Sequence, residues 1–146
     1  MSIQRKTHQH LSLFLSLEKA RKLIKERFNK SISNSKPKIT FDQYLLLNEI
    51  NEVNGINQKT LATNLFKEVA SISRLLNKLQ QINLVIKKSN PKNLREFKLH
   101  LTAEGTQVLE KIEGFNSANV KSLFTGIYEQ ELNLAIDVLR RMGTSE

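Results

Sequence analysis

Cysteine is absent from the 146 residues, which excludes disulfide scaffolds, thiolate zinc sites, cysteine nucleophiles and thiol-based redox sensing. Proline occurs twice and glycine five times, too few for a loop-rich chain, so long helices with short connections are expected. No uninterrupted apolar run approaches the roughly 18 residues needed to span a bilayer. The apolar stretch 11–17 is interrupted by Ser12 and Ser16, and the charged run EKARKLIKER follows it without a small-residue cleavage pattern. A signal peptide is therefore not expected, nor a membrane partner, and a cytoplasmic protein is the default. Chemistry-bearing clusters are also lacking: there is no Ser-His-Asp order, paired carboxylate site or glycine-rich phosphate loop. His8 and His10 lie two apart, a spacing that points them to different sides of a helix and argues against a metal pair. No catalytic residue, metal or cofactor is expected, and the chain does not read as an enzyme.

Acidic residues are the scarce charge. There are 14 of them against 23 Lys plus Arg, giving a formal net charge of +9. The excess is uneven. Residues 1–40 carry ten basic and two acidic side chains, residues 41–100 nine and five, and residues 101–146 four and seven. A focused positive surface points to a polyanion, and nucleic acid is the commonest. Apolar residues make up 39% of the chain, enough for a core but a little low, as expected if part of the apolar surface is buried only in an oligomer.

Periodicity places a first helix from His8 to about Lys30, with Leu13, Leu17, Ala20, Ile24 and Phe28 on one stripe. A polar loop, NKSISNSKPK, follows. Thr40-Phe41-Asp42-Gln43 is a capping box that starts a second helix, which runs to about Val53 and stops at Asn54-Gly55. Asn57 can cap a short third helix, QKTLATNLF. The fourth begins near Val69 and buries Ile72, Leu75, Leu76, Leu79 and Ile82. Asn83 ends it in the left-handed conformation that Asn tolerates. Two short strands are expected, Leu84–Lys88 and Glu96–Leu101, around the tip SNPKNLR, with His100 on an exposed face. Thr102 then caps a fifth helix to about Leu123 or Phe124, and a last helix spans about Glu129 to Met142.

A short helix, a tight turn, a second helix and a basic hairpin make a winged helix-turn-helix: mainly α with a small β-hairpin wing, α+β in class. An α-helix fits the major groove and can present side chains to base edges. The fourth helix turns Ser71, Arg74, Asn77, Lys78 and Gln81 away from its apolar stripe. The hairpin adds Lys87, Lys88, Asn90, Lys92, Asn93 and Arg95. With Ser73, and with Lys59 and Thr60 at the start of the third helix, these are the candidate contacts to double-stranded DNA. Sequence-specific regulation is the leading reading. A non-specific architectural DNA-binding protein is the alternative, and its footprint would be phosphate contact alone.

The chain resembles the MarR family of transcriptional regulators in LLLNEI, in LATNLFKEVASISRLLNKLQQINLV, in the wing NPKNLREFKLHLT and in the exit LTAEG, in that order and spacing. The resemblance covers 1–146 as one domain. It implies a winged-helix region at 37–102, and helical dimerisation segments at 1–36 and 103–146 packed across a two-fold axis. A homodimer, a pseudo-palindromic operator, repression and release by a small aromatic or anionic effector are what it implies about function. It sets Arg74 at the recognition-helix arginine and Arg95 at the wing arginine that reaches the minor groove. Asn93 stands where an orienting aspartate is usual, Leu94 where a second arginine is common, Asn83 in place of a glycine and Glu68 in place of a shorter cap. Phe41 and Tyr44, with Phe14, correspond to the effector crevice between the DNA-binding and dimer regions; the alternative for Phe41 and Tyr44 is that they are ordinary core aromatics.

Overall fold

The computed structural model describes residues 3–144. Helix α1 (Ile3–Ser31) leads to α2 (Phe41–Glu52), α3 (Gln58–Asn64) and α4 (Val69–Gln81), then to a two-stranded hairpin, β1 (Val85–Asn90) and β2 (Asn93–Leu101). Helix α5 (Ala103–Lys111), the single turn α6 (Ala118–Lys121) and α7 (Glu129–Arg141) complete the chain.

Local signals account for the helix boundaries. At the start of α2, the Thr40 hydroxyl accepts from the Gln43 amide at 3.2 Å, and the Gln43 side chain accepts from the Thr40 amide at 2.9 Å. Asn57 caps α3 by accepting from the Thr60 amide at 2.7 Å. Helix α4 ends at Asn83, whose φ is +60°. The amides of Asn83 and Leu84 turn back to the carbonyls of Gln80 and Leu79 and satisfy the end of the helix. Thr102 caps α5 through the Gly105 amide at 3.0 Å and also donates to the Asn83 carbonyl at 2.6 Å, tying the α5 start to the α4 exit.

The core is built from Phe28 of α1, Leu46, Leu47 and Ile50 of α2, Leu61 of α3 and the stripe Ile72, Leu76 and Leu79 of α4. It is closed by Leu84, Val85 and Leu99. Burial of each large aliphatic side chain contributes about 1.5–3 kcal/mol relative to exposure. The stripe therefore fixes the rotation of α4 and leaves its polar side outward.

Four expectations from periodicity are corrected. Helix α1 starts at Ile3 rather than His8, and only its C-terminal part is covered: Phe28 is buried, while Leu13 is exposed. Ile82, expected in the α4 stripe, caps the helix and is exposed, because the chain is already turning toward Asn83. The strands are longer than expected, and only Pro91 and Lys92 form the tip. Asn90 and Asn93 pair across it, each accepting from a backbone amide two residues on. The long fifth helix breaks after Lys111. Gly114 takes φ +55°, and a Cβ there would lie 2.9 Å from the Tyr44 hydroxyl, so the chain bends around that ring. Ser117 then caps α6.

Gly105 in LTAEG has a different reason to be glycine. A Cβ at this position would sit 2.2 Å from the Leu84 carbonyl oxygen, so α5 lies directly on the backbone leaving α4. Gly105→Ala is expected to push α5 outward and to cost about 1–3 kcal/mol, read as a lower urea midpoint at unchanged slope.

Candidate nucleic-acid interface

The outward face of α4 carries Arg74, Asn77, Lys78 and Gln81, all exposed. The Arg74 guanidinium donates to the Ser71 hydroxyl one turn back at 3.2 Å, which lays it along the helix toward the α4 N-terminus. Ser73 is half-buried and takes a hydrogen bond from the Gln58 side chain of α3, so it joins the two helices and does not point outward. Lys59 and Thr60 are exposed at the start of α3.

The wing stands beside this face. A recess of about 330 Å³ lies between the starts of α3 and α4 and the hairpin, bordered by Lys59, Val69, Lys87 and Arg95. Two N-terminal helix ends, three cations and the carboxylate of Glu96 thus meet at one concavity. Lys92 projects at the tip, fully in solvent, and Lys88 lies on the opposite side of the hairpin from Lys87. Asn93 accepts from the Arg95 amide at 3.1 Å, so it fixes the backbone that carries the arginine.

Asn90 takes a different position from the one its sequence neighbours suggest. It is buried, donates to the Glu96 carboxylate at 3.1 Å and accepts from the Lys92 amide at 3.1 Å, so it braces the tip from inside. Glu96 is the residue that sequence reasoning missed. Its two carboxylate oxygens accept from Asn90 in the wing and from Asn57, the cap of α3. The Leu99 amide adds a backbone bond to the Ile56 carbonyl at 2.9 Å. The wing is therefore tied to the helix-turn-helix at its base and along one edge. Glu96 is one of only two acids in the basic stretch 59–98, and that isolation was the available signal.

Asp42 forms a second tie. Its carboxylate meets Lys25 of α1 at 3.0 Å and Lys67, just before α4, at 3.2 Å. Burial pushes the Asp42 carboxyl up, but the two ammonium groups outweigh it and hold the group below the ordinary carboxylate range. The tie is complete above that range and is lost as pH falls through the lowered value.

The aromatic residues proposed to line an effector crevice separate. Tyr44 and Phe41 pack on Phe28, with ring centroids 4.6 and 5.1 Å away, and Phe115 closes the group. Burial raises the Tyr44 hydroxyl above its usual pKa. Phe41 also borders an apolar cleft of about 770 Å³ between α1 and α7. Phe14 is exposed on α1 and does not share that lining. Among the described residues no cluster of His, Asp or Glu could hold a metal, and no helix is long and apolar enough to cross a membrane.

Residues 39–97 match the MarR family. The chain is 23% identical over 137 residues to the HTH-type transcriptional regulator MhqR of Bacillus subtilis, covering 94% of this chain and 93% of that protein. Among solved structures, a mutant MarR of E. coli complexed with operator DNA has a TM-score of 0.82 at 18% identity, covering 92% of this chain and 96% of that one. The PcaV transcriptional regulator of Streptomyces coelicolor, in complex with its natural ligand, has a TM-score of 0.75 at 22% identity, covering 91% and 90%. At these identities the structural likeness shows the fold.

Loss of the carboxylate in Glu96→Ala is expected to free the wing without unfolding α4. Hydrogen exchange of the residue 85–101 amides should quicken, while the α4 amides stay protected. The stability loss should be about 1–2 kcal/mol.

Proposed function

We propose that this chain is a DNA-binding winged-helix transcriptional regulator of the MarR type, a reading supported by the match over residues 39–97 and by the similarity to MhqR, and that it acts as a homodimeric repressor of a pseudo-palindromic operator. Each protomer sets α4 in a major groove and its wing over the adjacent minor groove. Arg74 reads base edges or the phosphate beside them, with Ser71 and Asn77 nearby. Lys59, Thr60, Lys78, Lys87, Lys88 and Lys92 meet the backbone, and Arg95 enters the minor groove, where narrow A·T tracts concentrate negative potential.

The observation that carries this reading is the polarity of α4. Its buried residues, Ile72, Leu76 and Leu79, are all aliphatic, and its outer side holds hydrogen-bonding and cationic groups with no acid among them. A purely electrostatic coat has no need for Asn77 and Gln81 at the centre of that face.

The dimer is supported by α7, which buries none of its residues in the single chain although Leu132, Ile136, Val138 and Leu139 line the cleft facing α1. A monomer leaves this apolar surface in water, and a two-fold partner covers it. The segments 1–36 and 103–146 supply that interface, and 37–102 supplies the DNA-binding unit. A small aromatic or anionic effector entering beside Phe41, between α1 and α2, would change how the two regions sit together and release the operator.

Sedimentation at micromolar concentration is expected to show a dimer with no stable folded monomer. Arg74→Ala should leave that dimer intact and weaken operator binding by about 1–3 kcal/mol per contact, made twice in the dimer. Unchanged operator affinity at fixed salt would remove α4 as the reader.

A further inference from the structure

The hairpin has a second charged surface that the recess beside α4 does not use. The strand register pairs Lys88 with Lys98 and Ile86 with His100. Residues directly opposite in an antiparallel pair project from the same face. Lys88, Lys98 and His100 therefore share the side of the wing turned away from Lys87 and buried Leu99.

Two lysines directly opposite one another repel, whereas an acid at either position would stabilise the pair. None of the ion pairs among the described residues involves Lys88, Lys98 or His100. The group is nevertheless held in place. His100 Nδ1 lies 2.9 Å from the Asn54 side-chain oxygen, in the turn between α2 and α3. The Lys98 stem and the His100 ring converge over Gly55, where a Cβ would be 3.4 and 3.6 Å from them. Gly55 takes φ +77° and leaves the room that both side chains occupy.

We propose that Lys88, Lys98 and His100 form a phosphate-binding strip that grips the DNA backbone outside the segment covered by α4 and the wing tip. The proposal rests on the regulator reading above and extends its footprint. Arg95 borders the recess on the other side of the hairpin, and the strip runs along the two strands toward the tip, where Lys92 is exposed, so a duplex seated at the tip passes its end. A row of unneutralised cations on a rigid strand is complementary to a row of phosphates. Its one apolar neighbour on that face is Ile86, a single partly exposed side chain and not the apolar core a folded protein partner buries.

The imidazole makes the grip proton-dependent. Burial and then the charges of Lys88 and Lys98 hold His100 below its usual pKa in the free protein. The groups facing it are these two lysines and Asn54. Glu52, which ends α2, lies outside ion-pair distance. A phosphate arriving at the strip neutralises the lysines and favours the imidazolium. DNA binding therefore takes up a proton and tightens as pH falls through the ordinary histidine range.

The test uses a duplex selected from a random pool and trimmed to its protected core. It is compared with the same core extended on each side by about ten base pairs of unrelated sequence, about one helical turn. The wild type should bind the extended duplex more tightly, with a steeper dependence on salt and a gain that grows as pH is lowered. Lys98→Gln keeps the stem over Gly55 and removes the charge. It should cut that gain, lowering the salt slope on the extended duplex by about 0.9 per protomer and leaving the core duplex unchanged. His100→Gln should remove the pH-dependent part alone. Equal affinity for core and extended duplexes in the wild type overturns the proposal and leaves the regulator reading standing. So does an equal loss on both duplexes in Lys98→Gln. Preferential capture of a poly-glutamate chain, lost in Lys98→Gln, overturns it by assigning the strip to an acidic protein. Failure of the wild type to select any duplex defeats the regulator reading as well.

Discussion

Three aliphatic side chains on α4, Ile72, Leu76 and Leu79, must leave water together, and the structure is organised around how they do so. They are buried in one cluster with Leu46, Leu47 and Leu61 on the two preceding helices. That docking fixes the rotation of α4 about its axis and turns Arg74, Asn77, Lys78 and Gln81 outward as a set. It also fixes where the chain leaves the helix, because Asn83 must reverse it at once to bury Leu84 and Val85. The wing starts from that point, so its position follows from the same packing. The polarity of the face proposed to meet DNA is a consequence of burying the other side.

Packing alone leaves a two-stranded hairpin free to swing, since such a unit is only marginally stable by itself. Here Glu96 joins the tip to the cap of α3 through Asn90 and Asn57, and Leu99 bonds to Ile56. The acid spends its negative charge on two neutral amides and does not quench a neighbouring cation, so the surrounding positive field survives. Asp42 connects the other direction, from α1 to the start of α4, through two lysines. A proposed displacement of α1 by an effector or a partner protomer would reach the recognition helix through this carboxylate.

What was legible in the sequence was mostly local. The Thr40 box, the Asn57 cap, the Asn54-Gly55 stop and the left-handed Asn83 each depend on residues within one turn, and each has its expected geometry. Helical spacing gave the α4 stripe with one residue too many, because period alone does not mark where a helix gives way to its cap at Ile82. The missed features are long-range. Nothing near Gly114 announces the Tyr44 hydroxyl that bends the chain there, seventy residues downstream of the ring. Asn90 sits among cations in sequence and inside a hydrogen-bond bridge in space, since Glu96 folds back on it. The proposed dimer segments fall between the two cases: the apolar spacing of α7 is plain, while the surface proposed to cover it belongs to a second chain.

The central claim is that helix and wing act as one braced unit that reads sequence. Selection of bound duplexes from a random pool, followed by hydroxyl-radical footprinting of the winner, tests it directly. The account predicts an enriched two-fold sequence whose half-site centres lie about 10 base pairs, one helical turn, or a multiple of it apart. Backbone protection should extend over the flanking minor grooves where the wings lie. No enriched sequence, with uniform protection along every duplex, would contradict it and make this protein a non-specific coat on DNA.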